Sequence, residues 1–83
     1  MLTSVKVNGV VLRLDLDRVN GAGYICRGQA VIMKVPRYSG LYMAKVIGVV
    51  DTTVTFEVLD HPRGTFYSMV ESDYLRDNVY KIN

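Results

Sequence analysis

The chain has 83 residues, 49% of them hydrophobic and 22% charged, and a formal net charge of +2 at pH 7. This length allows one domain, covering residues 1–83, and the high hydrophobic content excludes an intrinsically disordered protein. The small net charge also distinguishes the chain from dedicated high-affinity nucleic-acid binders, which are normally more basic.

The first predicted element is a β-hairpin within residues 1–17. Two valines flank Lys6, and the chain then reaches the dipeptide Asn8-Gly9. These two residues tolerate the positive φ angles of a type I′ turn, a common short connection in hairpins. Apolar side chains then recur at every second position over residues 10–16, as in a strand that has one buried face.

The glycine-rich segment 20–23 interrupts this alternation, and a short strand is predicted after it at Tyr24–Arg27. A further strand is predicted over Ala30–Val35, where apolar residues alternate again. Pro36 ends this strand, because proline has no backbone N–H to donate to a neighbouring strand. The segment Pro36–Gly40 is therefore predicted to be a loop.

Leu41–Val50 is the longest predicted strand, and it is apolar on both faces. Gly48 within it predicts a bend or a β-bulge at which the sheet curls. After a polar turn, alternating apolar and polar residues predict another strand over Val54–Val58.

Toward the C-terminus, Thr65–Val70 is predicted to be a strand. Ser72–Arg76 has the pattern of a single helical or 3₁₀ turn, with Ser72 as its candidate N-cap. Val79–Ile82 is the last predicted strand. Together these segments predict an all-β protein, either a small barrel or a curled antiparallel sheet of five to seven short strands with one 3₁₀ turn.

Residues 28–76 resemble the SH3-like barrels, in particular their Tudor-like branch. In that family a strand after a glycine leads to a loop, an aromatic-x-Ala-x-Val strand, a turn, a strand ending in Asp-aromatic, and a short turn carrying Leu-Arg. The resemblance implies a barrel-like part over residues 28–83, to which the N-terminal hairpin is an addition. The matching segments are Gly28–Lys34, Gly40–Val46, Val54–His61 and Asp73–Arg76.

Tudor-like domains that read methylated side chains hold the cation among aromatic ring faces. The resemblance places Tyr42 at one wall of such an aromatic cage and Tyr38 at another. His61 stands where the family has its strand-end aromatic residue, and Pro62 stands where it usually has glycine. The expected cage is therefore incomplete.

The chain has a single cysteine, Cys26, and a single histidine, His61. One cysteine excludes an internal disulfide, and a Cys/His zinc site needs about four ligands in close spacing. Cys26 is predicted to be a small buried residue, and His61 is predicted to be exposed in a turn. Motifs for nucleotide hydrolysis or cofactor binding are also missing, so the sequence predicts a protein without cofactor or metal that is not an enzyme.

The N-terminus lacks the uninterrupted apolar segment of a signal peptide, and no run approaches the roughly 20 apolar residues of a membrane span. These observations predict a soluble, cytoplasmic protein that has no membrane contact. A lone cysteine agrees with a reducing compartment.

Charge is distributed unevenly along the chain. Residues 18–50 contain five cationic side chains and no acidic one, whereas residues 51–83 contain six acids and three bases. Clustered charge steers association with an anionic partner in a way that net charge does not report. Basic and aromatic residues also occur together within and beside two loops. The candidate binding residues are Lys34, Arg37, Tyr38, Tyr42, Lys45, Arg63, Phe66 and Tyr67.

These residues predict a non-catalytic binding module that engages RNA or DNA, because rings stack on bases while cations meet phosphates. One alternative is a small adaptor or inhibitor, of the kind that bacteriophages encode, that binds a host protein. Its exposed edge strands would extend a partner's sheet or form a homodimer. Another interpretation is that Tyr42 and Phe66 are core or edge residues and the cations only keep the surface soluble.

Overall fold

The computed structural model describes all 83 residues. It confirms the predicted all-β class, and neither of its two helical segments has the length and hydropathy needed to cross a membrane. The strands are β1 (Leu2–Val7), β2 (Val10–Arg18), β3 (Ala30–Lys34), β4 (Leu41–Val50), β5 (Thr53–Val58), β6 (Phe66–Glu71) and β7 (Val79–Ile82); the helical segments are a 3₁₀ turn (Ala22–Tyr24) and α1 (Ser72–Leu75).

The seven strands form one sheet in the order β1-β2-β7-β3-β4-β5-β6, and neighbours in this order are antiparallel. The sheet curls so far that β1 also meets β4, where Val7 pairs with Leu41 in the parallel sense. Strands β1, β2, β7, β3 and β4 therefore form a ring that a single residue pair closes. β6 remains at the free edge.

The β1–β2 hairpin has the turn that its sequence predicts. Val7 pairs with Val10 across the connection, and the φ angles of Asn8 and Gly9 are 48° and 80°. Both angles lie in the left-handed region that a type I′ turn requires. Asparagine and glycine reach this region at low cost, which explains why the chain reverses here.

Two hydrophobic clusters lie on opposite faces of the central strands. The main cluster contains Met33 of β3 and Phe56 of β5, which is the largest fully buried side chain. The second cluster contains Ile32 of β3 together with Val7 and Leu16 of the hairpin. The hairpin packs on the face of the central strands that lies away from the main cluster. These strands therefore carry buried apolar side chains on both faces.

The predicted irregularity of β4 is confirmed near Gly48. The register of β4 against β5 shifts between Val46 and Gly48, so β4 has one more residue than its neighbour over this stretch. A bulge of this kind bends its strand and increases the local twist. β4 pairs with β3 over Leu41–Lys45 and with β5 over Ala44–Val50.

The segment before β3 differs from its prediction. Tyr24–Arg27 forms no strand, since Tyr24 ends the 3₁₀ turn and no strand follows before β3. Cys26 is exposed rather than buried. The reason is that Ile25 takes the position that packs into the main cluster, and its neighbour Cys26 then faces the solvent.

The N-cap prediction for α1 is also wrong. The helix begins at Ser72, but Glu71 occupies the N-cap position and no side chain caps the helix. The hydroxyl oxygen of Ser72 instead accepts a hydrogen bond of 2.9 Å from the backbone N–H of Ala22. The side chain therefore joins α1 to the 3₁₀ turn, a contact between distant parts of the chain that no capping pattern indicates.

Tyr74 joins α1 to the end of β3. Its hydroxyl donates a hydrogen bond to the carbonyl oxygen of Lys34, and its half-buried ring packs against the main cluster. Desolvation by burial raises the pKa of Tyr74 above its usual value of 10.0, because the charged phenolate is disfavoured there.

We expect this tyrosine to make stability sensitive to alkaline pH. Since the pKa is raised in the folded state, the stabilisation is complete below the unfolded pKa of about 10 and is lost as the pH rises through the folded pKa. Urea unfolding between pH 8 and pH 11 should therefore show that the free energy of unfolding of the wild type falls relative to that of Tyr74→Phe, which cannot ionise. A difference between the two free energies that stays constant over this range would contradict the expectation.

Candidate functional site

Four aromatic side chains lie together where the β3–β4 loop, the β5–β6 loop and the start of β4 meet. Tyr38 comes from the first loop and His61 from the second, while Tyr42 lies in β4 and Phe66 begins β6. We call these four residues the aromatic cluster. Its tyrosines and its phenylalanine are half-buried and pack against the main hydrophobic cluster, so they cover one end of the core.

His61 lies at the centre of the aromatic cluster. Its ring centroid is 4.4 Å from that of Tyr38 and 4.6 Å from that of Tyr42. The distance to Phe66 is 5.2 Å, with an angle of 79° between the ring planes. Separations and tilts of this size are those at which aromatic rings attract one another. The four rings therefore form one packed unit.

The prediction of an exposed turn histidine is wrong, since His61 is only 8% exposed. Its Nδ1 accepts a hydrogen bond of 3.1 Å from the backbone N–H of Arg63. The turn after β5 thus folds back over the ring and holds it between the tyrosines. The sequence near His61 carries no signal for this burial, because the rings that cover it belong to Tyr38 and Tyr42, about 20 residues away in the chain.

The aromatic cluster encloses no cavity of its own. The surface of the protein has two clefts, and neither is lined by Tyr38, His61 or Phe66. The histidine ring occupies the space that a cage would leave open. Because a quaternary cation must enter between ring faces, this arrangement does not fit a reader of methylated side chains.

Asp60 and Asn8, neither of them among the predicted binding residues, hold these loops together. The Oδ1 of Asp60 accepts a hydrogen bond of 2.9 Å from the backbone N–H of Met43. The carbonyl oxygen of Asp60 accepts a bond of 2.8 Å from Nδ2 of Asn8, and the N–H of Asn8 donates to the carbonyl oxygen of Leu41 at 2.9 Å. The β1–β2 turn therefore lies against the β5–β6 loop and the start of β4.

Two arginines lie beside the aromatic cluster. The Nη1 of Arg63 donates a hydrogen bond of 3.2 Å to the hydroxyl oxygen of Tyr38, which keeps the guanidinium next to this ring. Arg37 is exposed and precedes Tyr38 in the β3–β4 loop. Its φ of 75° is uncommon for an arginine and reverses the chain just before the tyrosine.

Two lysines add positive charge to the same end of the sheet. Lys6 and Tyr42 both line a cleft of about 340 Å³ between the β1–β2 turn and the β3–β4 loop. Lys34 ends β3 and pairs with Leu41, which lines this cleft too. Lys6 belongs to the hairpin, outside the basic-aromatic segments, so no local pattern marks it as a binding residue. We call Lys6, Lys34, Arg37 and Arg63 the rim cations.

Lys45 and Tyr67 lie on a different surface from the aromatic cluster. Lys45 pairs with Glu57 of β5, and Glu57 pairs with Tyr67 of β6. Opposite residues in antiparallel strands project from the same face, so these side chains form a row across the sheet. Lys45 and Tyr67 are exposed, whereas the neighbouring residue Phe66 points toward the core.

The five cations of residues 18–50 do not converge. Arg18 forms an ion pair with Asp77 at the β2–β7 side of the sheet. Arg27 lies in the turn before β3, at the other end of that strand from Lys34. The positive charge near the aromatic cluster therefore arises from separate segments of the chain that the fold brings together.

Comparison with known protein families, with curated proteins and with solved structures found no match for this chain. No group of three or more His, Cys, Asp or Glu side chains is placed to hold a metal ion. What the site presents is positive charge, tyrosine hydroxyls and aromatic surface within one rim. These groups bind anions and flat, unsaturated rings.

Proposed function

We propose that the protein is a non-catalytic binding module that engages RNA or DNA through the aromatic cluster and the rim cations. The observation that carries the proposal is the hydrogen bond from Arg63 to Tyr38, because it holds a positive charge beside a ring. Phosphate contacts position a nucleic acid, while rings stack on bases. A rim that combines both groups suits a flexible single strand, whose bases are free to stack.

Binding in this scheme needs little rearrangement of the protein. His61 and the main hydrophobic cluster support the tyrosines from behind, so the rings are ordered before a base arrives. Preorganised groups lose less conformational freedom on binding. Since every base has a π face, we expect affinity with little sequence preference.

We also propose that residues 28–83 form an SH3-like unit. The support is that β3, β4 and β5 coincide with the three resembling strand segments, and that α1 lies where the family has its Leu-Arg turn. In this unit β3 to β6 follow one another as neighbours, and β7 returns after the helical turn to pair with β3. The loops that carry the aromatic cluster are then connections between strands of this unit.

We expect affinity for single-stranded oligonucleotides to fall steeply with salt. Neutralising four phosphates releases their counterions, which predicts a slope of log affinity against log salt of roughly −3 for a single strand. The dissociation constant should therefore rise about 50-fold between 50 and 200 mM salt. Fluorescence anisotropy with labelled oligo(dT) and oligo(U) of 20 nucleotides measures both quantities.

An affinity that does not change with salt concentration, or no binding to either oligonucleotide, would reject the proposal. A pull-down from lysate with and without nuclease separates it from the protein-binding alternative. Loss of the captured partner after nuclease treatment supports nucleic acid as the ligand. Retention of a protein partner after the same treatment supports an adaptor or inhibitor instead.

A further inference from the structure

β6 has an open edge. It pairs with β5 alone, and none of the hydrogen bonds made by turns and loops involves its backbone groups. The strand Phe66–Glu71 contains neither proline nor lysine, two residues that commonly protect an edge. Its outer N–H and C=O groups are therefore available to another strand.

The outer face of β6 carries two exposed apolar side chains. Tyr67 is 66% exposed and Met69 is 70% exposed, whereas Val70 is buried and Phe66 is half-buried on the inner face. Tyrosine and methionine are well suited to an interface, since both bury a large apolar surface and sulfur packs favourably against aromatic rings.

The alternation of β6 restricts how two copies pair. Directly opposite residues in antiparallel strands project from the same face. An axis that passed between two neighbouring residues would place an outward-facing residue opposite an inward-facing one, so the two-fold axis must pass through a residue position. With the axis at Ser68, Tyr67 lies opposite Met69 of the second copy. Moving the axis to Met69 places Tyr67 opposite Glu71, and moving it to Tyr67 places Met69 opposite Thr65. Only the register with Ser68 on the axis places both of these apolar side chains opposite another apolar side chain.

We propose that the protein forms a two-fold symmetric dimer in which β6 pairs with β6 of a second copy, with Ser68 on the axis. Two identical Tyr67–Met69 contacts then cover the exposed outer face.

The pairing stops at two copies. An interface in which the same strand contributes from both sides is self-complementary and leaves no free half. The inference does not depend on the proposed function, because the contacts of Tyr67 and Met69 lie outside the aromatic cluster.

Cysteine cross-linking tests the register directly. Tyr67→Cys and Met69→Cys are each made in a Cys26→Ser background, which leaves one thiol per chain. Because the two positions face each other, a mixture of the variants should form disulfide-linked dimers faster than either variant alone. Equal rates in all three samples would overturn the Ser68 register.

Sedimentation equilibrium tests the dimer itself. The wild type should move with concentration from 9.3 kDa toward twice that mass. Met69→Lys removes two symmetric contacts at once and should raise the dimer dissociation constant about tenfold or more. Val11→Lys, at a hairpin position that is also 70% exposed, is the matched control and should leave the constant unchanged. A wild type that stays monomeric to about 1 mM would refute the dimer. So would an equal rise in the dissociation constant for Met69→Lys and Val11→Lys.

Discussion

Replacing Phe56 by alanine should lower the free energy of unfolding by about 3–5 kcal/mol. Phe56 has no exposed surface and lies within the main hydrophobic cluster, which includes side chains from β3, β4, β5 and β6. The substitution removes a whole ring and leaves a cavity that the neighbouring strands cannot fill. Since a domain of this length has a total stability of roughly 4–12 kcal/mol, the loss is a large fraction of the whole.

Urea unfolding followed by circular dichroism measures this effect. Tyr24→Ala is the matched control, because it also truncates an aromatic side chain but at a position that is 68% exposed. We expect the control to change the free energy of unfolding by no more than about 0.5 kcal/mol. If both variants unfolded at the same urea concentration as the wild type, the described core would be incorrect.

The double substitution Arg37→Gln and Arg63→Gln should weaken oligonucleotide binding about tenfold to a hundredfold. Both arginines flank Tyr38, and Arg63 donates a hydrogen bond to its hydroxyl. Each lost phosphate contact should also make the salt slope for a single strand shallower by about 0.7. The variant therefore differs from the wild type both in affinity at low salt and in how steeply the affinity falls.

The control for this experiment is Arg13→Gln with Arg27→Gln. These arginines are exposed and lie in β2 and in the turn before β3, away from the aromatic cluster. The two double variants have the same net charge, so a difference between them reports on location rather than on total charge. Equal weakening by both pairs would mean that binding is a general effect of charge and not a property of this rim.

The elements that follow from local rules were predictable. The reversal at Asn8 and Gly9 depends on two residues that accept positive φ, and the bulge at Gly48 depends on one flexible position. The period-two alternation of β1, β2 and β5 depends on which face meets the core. Each signal is contained in a few consecutive residues, so the sequence alone was enough for these predictions.

The burial of His61 and the exposure of Cys26 were not predictable in this way. His61 is buried by Tyr38 and Tyr42, which are about 20 residues away in the chain. Cys26 faces solvent because its neighbour Ile25 takes the inward position. Burial of a residue in a loop depends on which distant segments pack against it, and no local pattern contains that information.

The candidate site was predicted only in part. Tyr38, Tyr42, Phe66 and Arg63 were identified from the proximity of rings and cations within single loops, and the fold brings them together. Lys45 and Tyr67 were included on the same basis, but the alternation of their strands turns them to the outer face. Lys6 was omitted because the hairpin reaches this rim through long-range contacts, the bond of Asn8 to Asp60 and the pairing of Val7 with Leu41.

The closure of the ring by the single pair of Val7 and Leu41 has a consequence for motion. The free energy of a local opening depends on the contacts that it breaks. When the hairpin tip leaves β4, this residue pair, two hydrogen bonds of Asn8 and the packing of Val7 in the second cluster are lost together. The other attachment of the hairpin, three residue pairs between β2 and β7, would remain intact. Rotation of the hairpin about these pairs would carry Lys6 away from Tyr42, but it would also expose Ile32 to water, and the cost of exposing this side chain favours the closed ring.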